Sequence, residues 1–450
     1  MEPDAPAPGD PDERQFSGKQ NYSKALPVDS ILKQRVLKLG GNALLGNALA
    51  LMASSAGTAI LGVGFWGLSA HLVKQSEIGR TSAEVLALIL LANLSQLSYG
   101  PIFERFLPVA GAKTTAFILR AYALTLATAV ILTAAYVALG LGHAFLPTSL
   151  HWRIYFVLAV MLWSIFTLQD SAMVGLRASK WIPVENILYA LVKLALLPVC
   201  ISLVVGQGIF VAWMAPVLVA VISIAVYMFG WRIPHNEATT TLVDKLPSNR
   251  RLVGLAGAQY TTLLTSVALT SVASLVIIDK LGATVNAYYF IAAQLAWGPS
   301  LLADGIGRSF LVELSHQSHR ARHHSNVAFG ALATLIVPSV LGGYYLAPLL
   351  LGLFGHEYAV HATTLMRLML LSLPGYGVNV VFATYAWYDQ RVWQLALRQG
   401  VTLVIFIVLL LSLVGHVGIL AVGWASVIST GIQAIFVLPS TIRRFRTFAN

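Results

Sequence analysis

The chain is 450 residues long, 57% hydrophobic and only 10% charged. Soluble domains carry roughly 25% charged residues, so the composition excludes an ordinary soluble fold and implies a membrane protein. The 29 bases outnumber the 18 acids for a net charge of +11, but the bases scatter between apolar runs, which fits orientation in a bilayer and contact with anionic headgroups rather than nucleic acid.

Residues 1–38 are polar and begin with the Pro-rich run PDAPAPGDPDERQ. Such a stretch buries too little apolar surface to fold, so a disordered cytoplasmic tail without a secretory leader is expected. Twelve apolar runs follow, near 43–70, 84–104, 117–141, 153–176, 184–205, 208–230, 252–278, 286–310, 327–351, 364–386, 394–415 and 417–440. Each is long enough to cross a ~30 Å hydrocarbon core as a helix. The longest polar link, 231–251, divides the chain into 39–230 and 252–442, and 443–450 is a short basic tail. Most bases fall on one side of this alternation. By the bias toward basic cytoplasmic loops, both termini face the cytoplasm. The single cysteine, Cys200, rules out an intrachain disulfide.

The halves share a pattern. The segment GRTSAEVLALILLANLSQLSYGPIFERFLP starts at Gly79, and GATVNAYYFIAAQLAWGPSLLADGIGRSF starts at Gly282. Gly79 aligns with Gly282 and Arg105 with Arg308 without a gap. Repeated halves about a midplane site are a common transporter plan.

Charges within spans are costly and default to a functional role. Lys193 lies mid-helix in YALVKLALLPV, suited to a pyrophosphate or acidic sugar, and Asp170 is its candidate ion-pair partner. At 1.5 Å per residue the two stand ~14 Å and ~9 Å from the inner face. Arg105 and Arg308 end outward-to-inward helices and present guanidinium forks to phosphate; anchoring to lipid headgroups is the plainer alternative. Asp304, one turn before Arg308, is placed for an internal pair. Glu84, at the outer start of the second span, joins Asp170 and Asp304 as a candidate coupling acid. Asn93, Gln96 and Gln294 are uncharged polar groups available to sugar hydroxyls or to neighbouring helices. Ser372-Leu-Pro374-Gly375-Tyr-Gly377-Val-Asn379 reads as a hinge or a static kink, because proline removes a helix hydrogen bond.

Other matches are set aside. Gly62-Val-Gly64-Phe-Trp-Gly67 fits a dinucleotide fingerprint but lies in an apolar span with no preceding strand. His316, His319, His323 and His324 sit in a basic loop without cysteine, better suited to solvent than to metal. No P-loop, zinc-protease motif or nucleophile elbow occurs, so neither an enzyme nor a cofactor is expected.

The turn, apolar helix and closing Arg-Phe-Leu-Pro at 79–108, with Ala287-Tyr-Tyr-Phe-Ile-Ala-Ala-Gln294 and Glu313-Leu-Ser315 in the second half, resemble the bacterial polysaccharide (O-antigen type) flippases. These belong to the multidrug/oligosaccharidyl-lipid/polysaccharide exporter superfamily. The resemblance implies an all-α polytopic protein of the cytoplasmic membrane, with twelve transmembrane helices in two six-helix lobes around a V-shaped central cavity. It further implies a polyprenyl-phosphate-linked glycan as substrate, membrane lipids as surroundings and glycan-assembly enzymes as partners. The competing readings are an ion-coupled drug antiporter of the same superfamily, and a membrane glycosyltransferase, ligase or scaffold of glycan assembly.

Overall fold

A computed structural model describes residues 57–239, 249–316, 320–389 and 391–447. These lie in the compact unit Met52–Asn450; the other unit, Met1–Leu51, including the expected tail, lies outside the described residues. Among the described residues there is no strand. The first half contains α1 (Gly57–Leu72), α2 (Gln75–Ser95), α3 (Tyr99–Phe106), α4 (Thr114–Ala138), α5 (Leu150–Gly175), α6 (Ile182–Leu203), α7 (Gly208–Tyr227) and α8 (Ile233–Thr239). The second contains α9 (Asn249–Leu281), α10 (Ala283–His316), α11 (Ala321–Gly352), α12 (His356–Leu371), α13 (Leu373–Tyr388), α14 (Val392–Val417) and α15 (Leu420–Thr447).

Nine helical stretches among the described residues are long and apolar enough to span a bilayer, with α12 and α13 forming one of them. The expected spans at 43–70, 252–278 and 286–310 are not among the nine. Residues 43–56 and most side chains of 249–264 in α9 lie outside the description, while α10 is long but carries polar residues, among them Asn286, Gln294, Asp304 and Arg308.

The second expected span, 84–104, starts earlier and breaks. α2 begins at Gln75 and ends at Ser95; Leu97 and Ser98 then take left-handed backbone, φ 50° and 61°. That conformation costs an L-residue roughly 1–2 kcal/mol. Two bonds to α5 hold the break: Ser95 Oγ to Ser164 Oγ at 2.9 Å and Gln96 Nε2 to Thr167 Oγ1 at 2.6 Å. In the repeat, Gln96 aligns with Pro299, which α10 accommodates without interruption.

The repeat-related segments meet each other. The Gly79 backbone lies on Ala283 and Ala287, beside Gly282, whose φ is +88°. The fully buried Asn286 donates through Nδ2 to Gly79 O at 2.7 Å and to Ser82 Oγ at 3.2 Å, and its Oδ1 accepts from Ser274 Oγ at 2.8 Å. Farther along α2, Ser271 Oγ donates to Leu86 O and Tyr260 Oη to Leu94 O, at 3.1 and 2.7 Å. The halves are therefore joined along α2 by α9 and α10.

The expected link 231–251 is largely helical where described. α7 passes through a π turn, Met228–Arg232, into α8. Glu237 Oε1 then accepts from the Thr115 N–H and Oγ1, at 3.0 and 2.7 Å, so α8 caps the open amide end of α4. Only 240–248 of the link lies outside the description. The basic end is also helical: α15 runs to Thr447, and Arg444 pairs with Asp389 at 2.6 Å. At Ser372 the helix is interrupted for one residue, between α12 and α13, with backbone still right-handed at φ −78° and ψ −18°; Pro374 occupies a first-turn position that needs no amide donor.

Candidate functional site

Lys193 is 4% exposed and forms no ion pair. Its Nζ lies 3.7 Å from the Trp213 ring centroid, 4.9 Å from Tyr189 and 5.1 Å from Phe65. Desolvated cation–π contacts contribute ~2 kcal/mol or more, enough to offset part of the cost of burying an amine. α1, α6 and α7 together build this box. Trp213 Nε1 is buried without a hydrogen-bond partner. The box thus contains an ammonium over the Trp213 ring face and, in the plane of that ring, an indole N–H without a partner among the described residues.

The expected Lys193–Asp170 pair is not formed. Asp170 accepts from Asn186, and its Oδ1 is buried without a partner. The amine sits instead among the aromatic rings of α1, α6 and α7. Asp304 and Arg308 make no close ion pair, although the guanidinium is near enough to act on the carboxylate; Asp304 Oδ1 accepts from Tyr376 Oη at 2.8 Å. Glu84 is not at a helix start. With α2 beginning at Gln75, it lies well inside that helix, 2% exposed, with Oε2 unpartnered.

A cavity of about 350 Å³ lies within the second half, between α9, α10, α12, α13, α14 and α15. Among the described residues none of the first half lines it, and no lining side chain is charged. This differs from the central cavity between two lobes that the resemblance implies. Its polar wall includes Gln294, Asn379, Gln399, Thr402, Thr430 and Gln433, and its aromatic wall Tyr289, Trp297, Tyr376 and Phe406. Gln294 and Leu301 are exposed, and Arg308, a further heptad on, shares their α10 face and is also exposed.

The remaining candidates separate. Asn93 Nδ2 is spent on Ile89 O of its own helix, at 2.8 Å, and Gln96 serves the break after α2. Of the three amides, Gln294 alone lines the cavity. Arg105 is exposed and lies over the Phe106 ring at 5.4 Å. Pro374, Gly375 and Gly377 form the start of α13, where Gly375 approaches the Thr430 backbone and Gly377 touches Ile336. Among the described residues no group of three or more His, Cys, Asp or Glu side chains is placed to hold a metal. Sequence reading missed the aromatic partners of Lys193 and the amides Asn379 and Gln399. Amides within apolar helices were the available signal for the second pair.

No family model matches the chain, and no curated protein matches it by sequence. Solved structures do match. One is the inward-facing conformation of a multidrug resistance MATE family transporter of the MOP superfamily, at TM-score 0.63 and 15% identity, covering 87% of this chain and 95% of that one. A second is the lipid II flippase MurJ in an inward closed conformation, at TM-score 0.65 and 14% identity, covering 88% and 89%. A third is a MATE structure in complex with MaL6, at TM-score 0.58 and 14% identity, covering 89% and 95%. At this identity the likeness speaks for the fold: the chain is an all-α, multi-pass membrane protein with the fold shared by MATE transporters and the lipid II flippase.

Proposed function

We propose that this protein is a flippase or exporter that moves a polyprenyl-(di)phosphate-linked saccharide across the cytoplasmic membrane by alternating access of two six-helix lobes, with both termini cytoplasmic. The observation that carries the reading is Lys193. It is a buried amine without a counterion, beside an indole N–H without an acceptor, in a fold shared with transporters. An anionic headgroup supplies what both donors lack. Arg308, exposed on the α10 face that continues from the cavity, is a second phosphate contact in this reading, and the interruption at Ser372 and Pro374 is a hinge.

One observation favours a second reading, an ion-coupled antiporter. Glu84 is a buried acid with an unpartnered oxygen, and Asp170 and Glu185 also hold unpartnered buried oxygens. In the flippase reading these acids serve coupling, not substrate. Depletion of the protein in its host decides between the two. The flippase reading expects a lipid-linked saccharide to accumulate on the cytoplasmic leaflet. Normal turnover of such lipids together with lost efflux of a cationic dye would replace it with the antiporter.

A further inference from the structure

The second-half cavity has a hydrogen-bonding character that selects its ligand. Most of its hydroxyl protons are already committed. Thr402 Oγ1 donates to Arg398 O at 2.9 Å, Thr430 Oγ1 to Ser426 O at 2.6 Å, Ser300 Oγ to Trp297 O at 2.7 Å and Tyr376 Oη to Asp304 at 2.8 Å. What these groups still offer is lone pairs. Asn379 Oδ1 and Gln399 Oε1 add two buried acceptors that have no partner at all. An orphaned buried acceptor is costly, so a ligand bringing donors to this space recovers that cost.

The ligand must therefore be rich in O–H or N–H groups. An uncharged ligand fits, because no lining side chain among the described residues supplies a counterion. It must also present apolar faces, because Trp297 and Tyr376, with ring centroids 5.9 Å apart, form a wall beside the acceptors. A sugar ring has hydroxyls at its rim and C–H groups on its faces, and meets all three demands. The volume sits at the small end of the ~300–1,000 Å³ range of ligand sites, which suits a mono- or disaccharide.

We infer that the cavity between α10, α13 and α14 is a subsite for an uncharged glycosyl unit, with Asn379 and Gln399 as its specificity-determining acceptors. This rests on the reading of the protein as a glycolipid transporter for its biological meaning, but not for its test. The subsite receives the neutral sugar, while Lys193 and Arg308 are left to the phosphate.

The test uses full-length protein in lipid nanodiscs with Cys200→Ser and Leu301→Cys, which places one reporter thiol where the cavity lining is 62% exposed. Maleimide labelling is timed with methyl glucoside, methyl N-acetylglucosaminide or maltose, and separately with glucuronic acid, farnesol or tetraphenylphosphonium. A neutral glycoside is expected to slow labelling about threefold when present at twice its Kd. Asn379→Leu and Gln399→Leu, each verified as monodisperse, are expected to raise the glycoside concentration needed for that protection about fivefold, the loss of one ~1 kcal/mol hydrogen bond. Protection by farnesol or tetraphenylphosphonium alone, or by none of the probes, overturns the inference. Glycoside protection without accumulation of a lipid-linked saccharide on depletion would keep the subsite and discard the flippase. Accumulation without protection would do the reverse.

Discussion

Replacing Gly79 with alanine tests whether the two halves are locked where the repeat units touch. A Cβ on Gly79 would overlap the Ala283 carbonyl oxygen and lie 2.6 Å from its carbon and 3.1 Å from Ala287 N. All three are backbone atoms, so no side chain can swing away. Restoring ordinary contact of about 3.5 Å with the overlapped oxygen requires α2 and α10 to part by roughly 2 Å. Overpacking of this kind costs ~1–3 kcal/mol. The same displacement stretches the 2.7 Å bond from Asn286 to Gly79 O, and orphaning a buried amide adds ~1–3 kcal/mol. Gly282→Ala is the control. Nothing lies within 4 Å of its Cβ, but its φ of +88° charges an L-residue roughly 1–2 kcal/mol. Thermal unfolding of detergent-purified protein, followed by the loss of the monodisperse peak on size exclusion, ranks the two. Gly79→Ala is expected to melt well below wild type and below Gly282→Ala. A Gly79→Ala protein that melts with wild type would refute the close α2–α10 crossing.

Other outcomes follow from the same contacts. Lys193→Met keeps the volume of the aromatic box and removes its charge; it is expected to fold normally and to lower glycolipid externalisation by about tenfold or more, the worth of one charge-assisted hydrogen bond. Because Lys193 and Asp170 do not pair, the double exchange Asp170→Lys/Lys193→Asp is expected to recover no more transport than either single change, and clear recovery in vesicles would restore the pair. Glu237→Ala removes the acceptor that caps α4 through Thr115, costing ~0.5–2 kcal/mol as for a lost helix cap; faster tryptic cleavage at Lys245 and Arg250 is the measure, and unchanged kinetics would count against the clasp. Pro374→Ala restores an amide donor at the Ser372 break and is expected to raise thermal stability while slowing transport, if the break moves during the cycle.

Much of the architecture could be read before any coordinates. Runs of apolar residues near twenty long have one stable form in a bilayer, the helix, since every backbone group must be satisfied internally. The break at Ser372 was legible for the same local reason, because Pro374 carries no amide hydrogen. The break at Leu97 and Ser98 was not, because neither residue prefers left-handed backbone; Ser164 and Thr167 on α5 hold it there. The helical character of 231–239 was hidden because its partner, the start of α4, is remote in sequence.

Composition and periodicity determined that this chain crosses a membrane as helices, with few charges left inside. They also marked Lys193 and Asp170 as buried charges, since burial of each follows from its own flanking residues. Which atoms face those charges was settled only in three dimensions. An ion pair depends on the azimuth of two helices, and a shift in azimuth places the Lys193 amine on Trp213 instead of Asp170. The neutral cavity is likewise a product of packing: its polar groups come from helices far apart in the chain, and no local pattern records that they share one space.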